Sequence, residues 1–281
     1  ANLRRLTELA GKYGIGVYLY LNEPRGQSLR FFEKHPEYRG AESVGRYECA
    51  LCTSQPAVLD FLRDGCEFLF RQVPLLAGAF CITMSENTTH CKSKLHAVKD
   101  PCPRCEGRPE SELICDVVTA IARGAHRAKP DARIMAWNWA WDPAWEHDLL
   151  DKLPRNVELL CVSEEYLKFA VGGVENHVRD YSLSRIGPSQ RSLEMWQHAR
   201  QRGLSTVAKV QLNSTWECSA VPWIPVPTLV EEHLDNLRSA GVKALMISWT
   251  VGGYPGGNLE LLGRRFDQLA IEQFGSQAAA K

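Results

Sequence analysis

Apolar residues along this chain gather into short continuous runs, separated by longer stretches with helical periodicity. Six runs read as strands: "GIGVYLYLN" (14–22), "GAFCITMS" (78–85), "ARIMAWNWAW" (132–141), "VELLCVSE" (157–164), "STVAKVQLN" (205–213) and "VKALMISW" (242–249). A helix-patterned stretch precedes each one. In order these are the opening "ANLRRLTELAGKYG", then "PAVLDFLRDGCEFLFRQV", "SELICDVVTAIARGAHRA", a short helix around 146–152, "SLEMWQHARQRG" and "LVEEHLDNLRSAG". "LELLGRRFDQLAIEQF" closes the chain as a last helix. Strands that are apolar almost throughout and alternate with helices predict a parallel sheet covered by helices. The stretch 24–56 predicts a loop with a short helix at "GQSLRFFEKH" and no strand.

The connections are asymmetric. Those entering strands are short ("KYG", "KPDAR", "LPRN", "RGL", "SAG"), whereas those leaving strands are long and rich in Trp, Pro, Asn and Glu. A (β/α) barrel keeps its active site in such loops at the C-terminal strand ends. A doubly wound open sheet is the alternative, but it would carry a Gly-rich phosphate loop after an early strand. Neither "GGVENH" nor "VGGYPGGN" has that spacing or setting. The predicted class is therefore α/β, a TIM-type barrel with six βα units visible, counted as strands 3–8 of an eight-stranded barrel. Closure removes open sheet edges, so an upstream segment or an oligomeric partner is expected to complete it. The expected domain layout is a barrel over 1–272 with a Cys-containing insertion at 87–110, then a disordered tail at 273–281.

Composition narrows the functional classes. The 281 residues are 44% hydrophobic and 23% charged, with Lys+Arg and Asp+Glu both at 33, so the net charge is zero. No basic tail or like-charge block suggests nucleic acid or an anionic membrane as a partner. No apolar run reaches the roughly 18 residues of a membrane span, and the opening reads as an amphipathic helix rather than a signal peptide.

The candidate chemistry sits at the strand tips. The first run ends Asn22-Glu23-Pro24-Arg25, the second Ser85-Glu86-Asn87 and the third Trp137-Asn138-Trp139. The fourth ends Ser163-Glu164-Glu165, the fifth Gln211-Leu212-Asn213 and then Trp216-Glu217, and the sixth Trp249 followed by a loop with Tyr254. Carboxylates, amides and indoles together are the groups that glycoside hydrolysis uses. One carboxylic acid protonates the leaving oxygen, a second carboxylate stabilises or attacks the anomeric carbon, and aromatic faces and amides hold sugar rings. Glu86 is the candidate acid/base, with Glu217 or Glu164 as the second carboxylate. The expected sugar contacts are Asn22, Glu23, Arg25, Asn87, Trp137, Trp139, Gln211, Asn213, Trp216, Trp249 and Tyr254. For Trp139 and Trp249 the competing reading is packing in the upper barrel. Glu164 and Glu165 are adjacent, so on an extended strand only one points inward. Lys209, inside an apolar strand, calls for a buried carboxylate partner, Glu164 or Glu217.

Here the chain resembles a known family. With the first run taken as strand three, "GIGVYLYLNEPR" is similar to the third strand of family-20 glycoside hydrolases, the β-hexosaminidases. "FCITMSE" then falls where those enzymes carry an acidic pair, and the resemblance puts Glu86 in the acid/base position. The preceding residue is Ser85, where those enzymes have Asp. The same register resembles the wider retaining-glycosidase superfamily, which pairs Glu86 with Glu217 and matches "ISW" to a strand-eight tryptophan. The insertion after strand four is also similar to that of other carbohydrate-active barrels. The resemblance implies a carbohydrate substrate and no cofactor required for catalysis.

Ten cysteines remain. Cys81 and Cys161 lie in strand patterns and Cys66 and Cys115 in helical ones, where cysteine behaves as a small hydrophobe. The others cluster in "ECALC" (Cys49, Cys52), "HCKSK" (His90, Cys91) and "CPRC" (Cys102, Cys105). Two-residue spacers let paired thiolates reach one ion, so Cys91, Cys102 and Cys105 are candidate ligands of a structural zinc. Disulfides and free thiols are the alternatives, and His90 is read as a substrate contact, a metal ligand or neither.

Overall fold

The computed structural model describes residues 2–44, 48–84, 87–93, 97–213, 215, 217, 224–249 and 257–262. The chain divides into two compact units, Ala1–Leu159 with Gln201–Ser205, and Leu160–Arg200 with Thr206–Lys281.

The first unit opens with α1 (Asn2–Gly11) and β1 (Val17–Leu21). The next elements are β2 (Gln27–Ser28), α2 (Leu29–Lys34), β3 (Arg39–Ser43) and β4 (Glu48–Leu51). Then come α3 (Pro56–Gln72), β5 (Leu76–Ile82), β6 (Val98–Asp100), α4 (Glu110–Ala128), β7 (Arg133–Trp137), α5 (Glu146–Lys152) and the start of β8 (Glu158–Val162). Strands β1, β5 and β7 pair in parallel in that order. Helix α3 starts with Pro56 in its first turn, where the missing N–H costs nothing. It buries Val58, Leu62, Cys66 and Phe70, a strict four-residue spacing that makes one face. That face meets α4, whose Leu113, Ile114, Val117, Val118 and Ile121 are buried. The two helices approach so closely that a Cβ on Gly124 would stand 2.0 Å from the Arg63 carbonyl oxygen. Arg133 and Glu158 form a two-pronged ion pair, with both N···O contacts at 2.6 Å.

The stretch expected to hold no strand holds three. β2, β3 and β4 join β6 in an antiparallel sheet ordered β2-β4-β3-β6. Their pattern was hidden because the strands are two to five residues long and the β3 ladders shift register.

The second unit holds the rest of β8, then β9 (Lys168–Val171), β10 (Val174–His177), α6 (Gln190–Gln201), β11 (Ser205–Val210), α7 (Pro227–Ser239), β12 (Ala244–Ile247) and α8 (Gly257–Glu260). β11 and β12 pair in parallel. Strands β8 and β11 are buried along nearly their whole length, as parallel strands under helices are. "GGVENH" proves to be a hairpin: β9 and β10 pair antiparallel around Gly172 and Gly173, both at positive φ (58° and 81°), which a tight primed turn requires. The six expected parallel strands and the helices before them are thus present. The expected closing helix lies outside the described residues beyond 262. No helix among the described residues is long and apolar enough to cross a membrane.

Candidate functional site

Each strand tip delivers polar groups, and the backbone turns sharply there. Ala140 after β7, Tyr166 after β8 and Ser248 after β12 are non-glycine residues at φ near 60°. Such conformations cost about 1–3 kcal/mol and gather at functional positions.

In the first unit, Asn22 follows β1, is buried and donates through Nδ2 to the Ile82 carbonyl at 2.9 Å. The Glu23 carboxylate accepts from the Arg25 N–H at 2.9 Å, and Arg25 reaches Asn87 Oδ1 at 2.7 Å. Asn22, Arg25 and Asn87 are therefore linked to the segment after β5. That segment is built by Thr83, whose hydroxyl accepts from the Trp141 indole N–H at 3.1 Å and whose carbonyl accepts from the Thr89 hydroxyl. Glu86 lies within it but outside the described residues, as does Ser85. Its described neighbours are Met84, fully buried, and the half-buried Asn87. Trp137 closes β7 inside the core, edge-on to Phe80 at 6.1 Å, and Trp139 beyond it is half-buried at 6.4 Å from Trp137. His90 is buried and holds its value down to about 4, the effect of burial, so it is neutral at pH 7.

The second unit carries a denser constellation. Glu164 stands two residues beyond β8 and is wholly buried. Neither carboxyl oxygen has a hydrogen bond of good geometry, although the backbone N–H groups of Glu164 and Gln211 lie near enough to favour the charge. Burial pushes Glu164 up to about 8, against the attraction of Lys209. His233 Nδ1 lies 3.7 Å from Glu164 Oε1, while its Nε2 shares a 2.8 Å hydrogen bond with the Ser163 hydroxyl. Burial lowers His233 to about 4, so this histidine is neutral. Gly187 packs over the group: a Cβ there would meet His233 Nε2 and Ser163 Oγ at 2.8 Å.

Lys209 on β11 donates to Gln211 Oε1 at 2.7 Å and sits 3.6 Å over the Tyr181 ring. Burial lowers it to about 8, while Glu164 and Asp180 pull the other way. Its carboxylate neighbours are thus Glu164 and Asp180. Glu165 is also buried and pairs with Arg191. The two adjacent glutamates serve different partners, Glu164 beside His233 and Lys209 and Glu165 on Arg191, just beyond the end of β8, where the Leu167 N–H bonds the Glu164 carbonyl at 2.9 Å.

Glu217 lies in a different setting. Its oxygens accept from the Ser182 and Ser184 hydroxyls, the Leu183 and Ser184 N–H groups and the Thr215 hydroxyl. Burial works to raise its value, but these bonds together hold it below the usual carboxylate range. Gln211 and Asn213 are buried beyond β11, and Trp249 is half-buried beyond β12. Trp216 and Tyr254 lie outside the described residues.

The cysteine expectation is changed by one residue. Cys91, Cys102 and Cys105 come together with Cys52, and all four sulfurs lie within 4.8 Å of one another. Cys49 instead packs with Phe32, Leu51 and Val58, and His90 is not in the group. The reason is strand parity: residues three apart on an extended chain face opposite sides, whereas "CPRC" is a turn in which Cys105 and Glu106 N–H both bond the Cys102 carbonyl at 3.0 Å. Parity was the available signal for Cys52. For His233 the signal was a histidine on the apolar stripe of α7, with Val230, Leu234 and Leu237. Ser163 stood in the strand-tip run beside Glu164, and Gly187 had no signal.

No protein-family model matches the sequence, and no curated protein matches it. Solved structures do. The catalytic domain of β-amylase from Paenibacillus polymyxa matches at TM-score 0.50 and 9% identity, over 92% of this chain and 83% of that one. A family 89 glycoside hydrolase from Clostridium perfringens, in complex with its substrate GlcNAc-α-1,4-galactose, matches at 0.50 and 11%, over 87% of this chain and 23% of that one. The exo β-N-acetylglucosaminidase of family 20 from Vibrio harveyi, in complex with N-acetylglucosamine, matches at 0.46 and 11%, over 99% of this chain. This chain spans 40% of the length of the Vibrio harveyi enzyme. The fold is that of glycoside hydrolase barrels, and identities at this level speak of fold alone.

Proposed function

We propose that the chain is a glycoside hydrolase that cleaves an oligo- or polysaccharide, with Glu86 as general acid/base and Glu164 as the second carboxylate. The observation that carries the reading is Glu164 itself. A wholly buried carboxyl whose oxygens lack good hydrogen bonds is costly to keep. At a strand tip, such a cost points to function rather than structure. Glu217 gives no such signal, since its five hydrogen bonds account for it as the anchor of 182–184.

The roles follow from chemistry. Glu86 protonates the leaving glycosidic oxygen and then deprotonates water. Positive charge grows on the sugar in the transition state. That charge favours the ionised form of Glu164, with Lys209 supporting it. With Ser85 in place of Asp, no acetamido-assisted step is assigned. Asn22, Arg25, Asn87, Trp139, Gln211 and Asn213 would contact the sugar.

A carbohydrate-binding protein without hydrolysis is the second reading, favoured by Ser85 standing before Glu86 where the family-20 enzymes that the sequence resembles have Asp. A panel of α- and β-linked oligosaccharides, assayed for released sugar, separates the two. The expected result is cleavage of at least one member, with Glu86→Gln lowering kcat by about 10²–10⁴-fold. Binding of a panel member with no cleavage by the wild type would select the second reading. Undiminished cleavage by Glu86→Gln would overturn its assigned role.

A further inference from the structure

Outside the proposed carbohydrate site, the first unit holds a second concentration of chemistry. Cys52, at the end of β4, Cys91, in the segment after β5, and Cys102 and Cys105, in the turn before α4, are all at most 5% exposed. Cys52 Sγ is 3.6 Å from both Cys102 Sγ and Cys105 Sγ. A disulfide would draw a pair to about 2.05 Å. An ion bound at about 2.3 Å by four thiolates in a tetrahedron instead spaces the sulfurs by about 3.8 Å. We infer that Cys52, Cys91, Cys102 and Cys105 together bind one zinc ion.

Three features of the surroundings support the inference. The Arg104 Nε–H points at Cys52 Sγ at 3.3 Å and the Ser54 hydroxyl lies 3.2 Å from Cys105 Sγ, the donors that thiolates of a metal site receive from their outer shell. Arg104 is tied in turn to the Arg39 carbonyl at 2.5 Å, and Arg108 to Ser54 at 2.9 Å, which fixes both donors. Arg104, whose guanidinium touches the cluster directly, offsets part of the net negative charge of four thiolates on a divalent ion. Gly40 is the third feature: a Cβ there would stand 2.6 Å from Cys91 Sγ and 2.7 Å from the Ala50 carbonyl oxygen, so only glycine leaves room for Cys91 to join.

Four protein thiolates fill a tetrahedron, so this zinc has no position for water and no catalytic role. It fastens the end of β4, the turn before α4 and the segment after β5 to one another. Cys91 is five residues downstream of Glu86, so the ion anchors the chain that carries the proposed acid. The inference does not depend on the hydrolase reading.

The test is metal analysis by mass spectrometry of the full chain, purified without added metal or chelator. The expected result is one zinc per chain, with Cys52→Ser and Gly40→Ala each losing most of it and Cys49→Ser retaining it. Because a ligand variant can fail to fold, thiols of the wild type are also counted in denaturant with chelator and no reductant. All ten cysteines are expected to react. A count of eight or fewer, iron in place of zinc, or equal zinc loss in Cys49→Ser and Cys52→Ser would overturn the assignment. If the protein is isolated metal-free with ten thiols, it is expected to take up one equivalent of zinc against a chromophoric chelator, and failure to do so would also overturn it.

Discussion

Glu164 and Glu217 belong to the same unit, yet their surroundings drive them in opposite directions. Burial raises Glu164 to about 8, whereas hydrogen bonds from Ser182, Ser184, Leu183 and Thr215 overcome burial and lower Glu217. A carboxyl raised by folding contributes stability below its unfolded value, near 4.5, and that contribution is lost as pH rises through about 8. Glu217 behaves the other way: its contribution is present above 4.5 and lost as pH falls through its lowered value. Replacing Glu164 by Gln removes the first dependence. The Tm of Glu164→Gln relative to wild type is expected to climb by several degrees between pH 4.5 and pH 8. A difference that stays flat across this window would show that Glu164 is not held protonated. Sequence could place Glu164 at a strand tip, because the apolar run before it is unbroken. It could not place His233, some seventy residues away on α7, or Gly187 over the pair, and those contacts create its environment.

At the level of elements, the alternation of buried strands and amphipathic helices was legible because each strand of the parallel sheet is apolar along most of its length and each helix repeats its apolar positions at helical spacing. The small antiparallel sheet was not. β2 is two residues long, and β3, "RGAES", has no β-branched or aromatic residue to mark it. The gathering of Cys91, Cys102 and Cys105 was legible but the addition of Cys52 without Cys49 was not, since the same two-residue spacer acts differently on strand β4 and on the "CPRC" turn. The contact between α3 and α4 illustrates an effect that propensity alone would misjudge. In an exposed helix, Gly→Ala stabilises by roughly 0.5–1 kcal/mol. At Gly124 the added methyl would collide with the Arg63 carbonyl and the Cys66 side chain. Gly124→Ala is therefore expected to destabilise the protein by about 1–3 kcal/mol in urea unfolding. An increase in stability would mean that the helices are free to move apart.

At the scale of the molecule, two compact units share one pattern of parallel strands whose tips carry amides, indoles and carboxyls, on a fold known among glycoside hydrolases. The central claim is that Glu86 supplies a proton to the departing sugar. The most direct measurement compares two glycosides of the sugar that the panel identifies, one with an oligosaccharide and one with 2,4-dinitrophenolate as leaving group. A phenolate that leaves without a proton needs no acid, whereas a sugar alkoxide does. Glu86→Gln is expected to slow the oligosaccharide at least about 100-fold more than the dinitrophenyl glycoside. Equal losses on both would contradict general acid catalysis by Glu86.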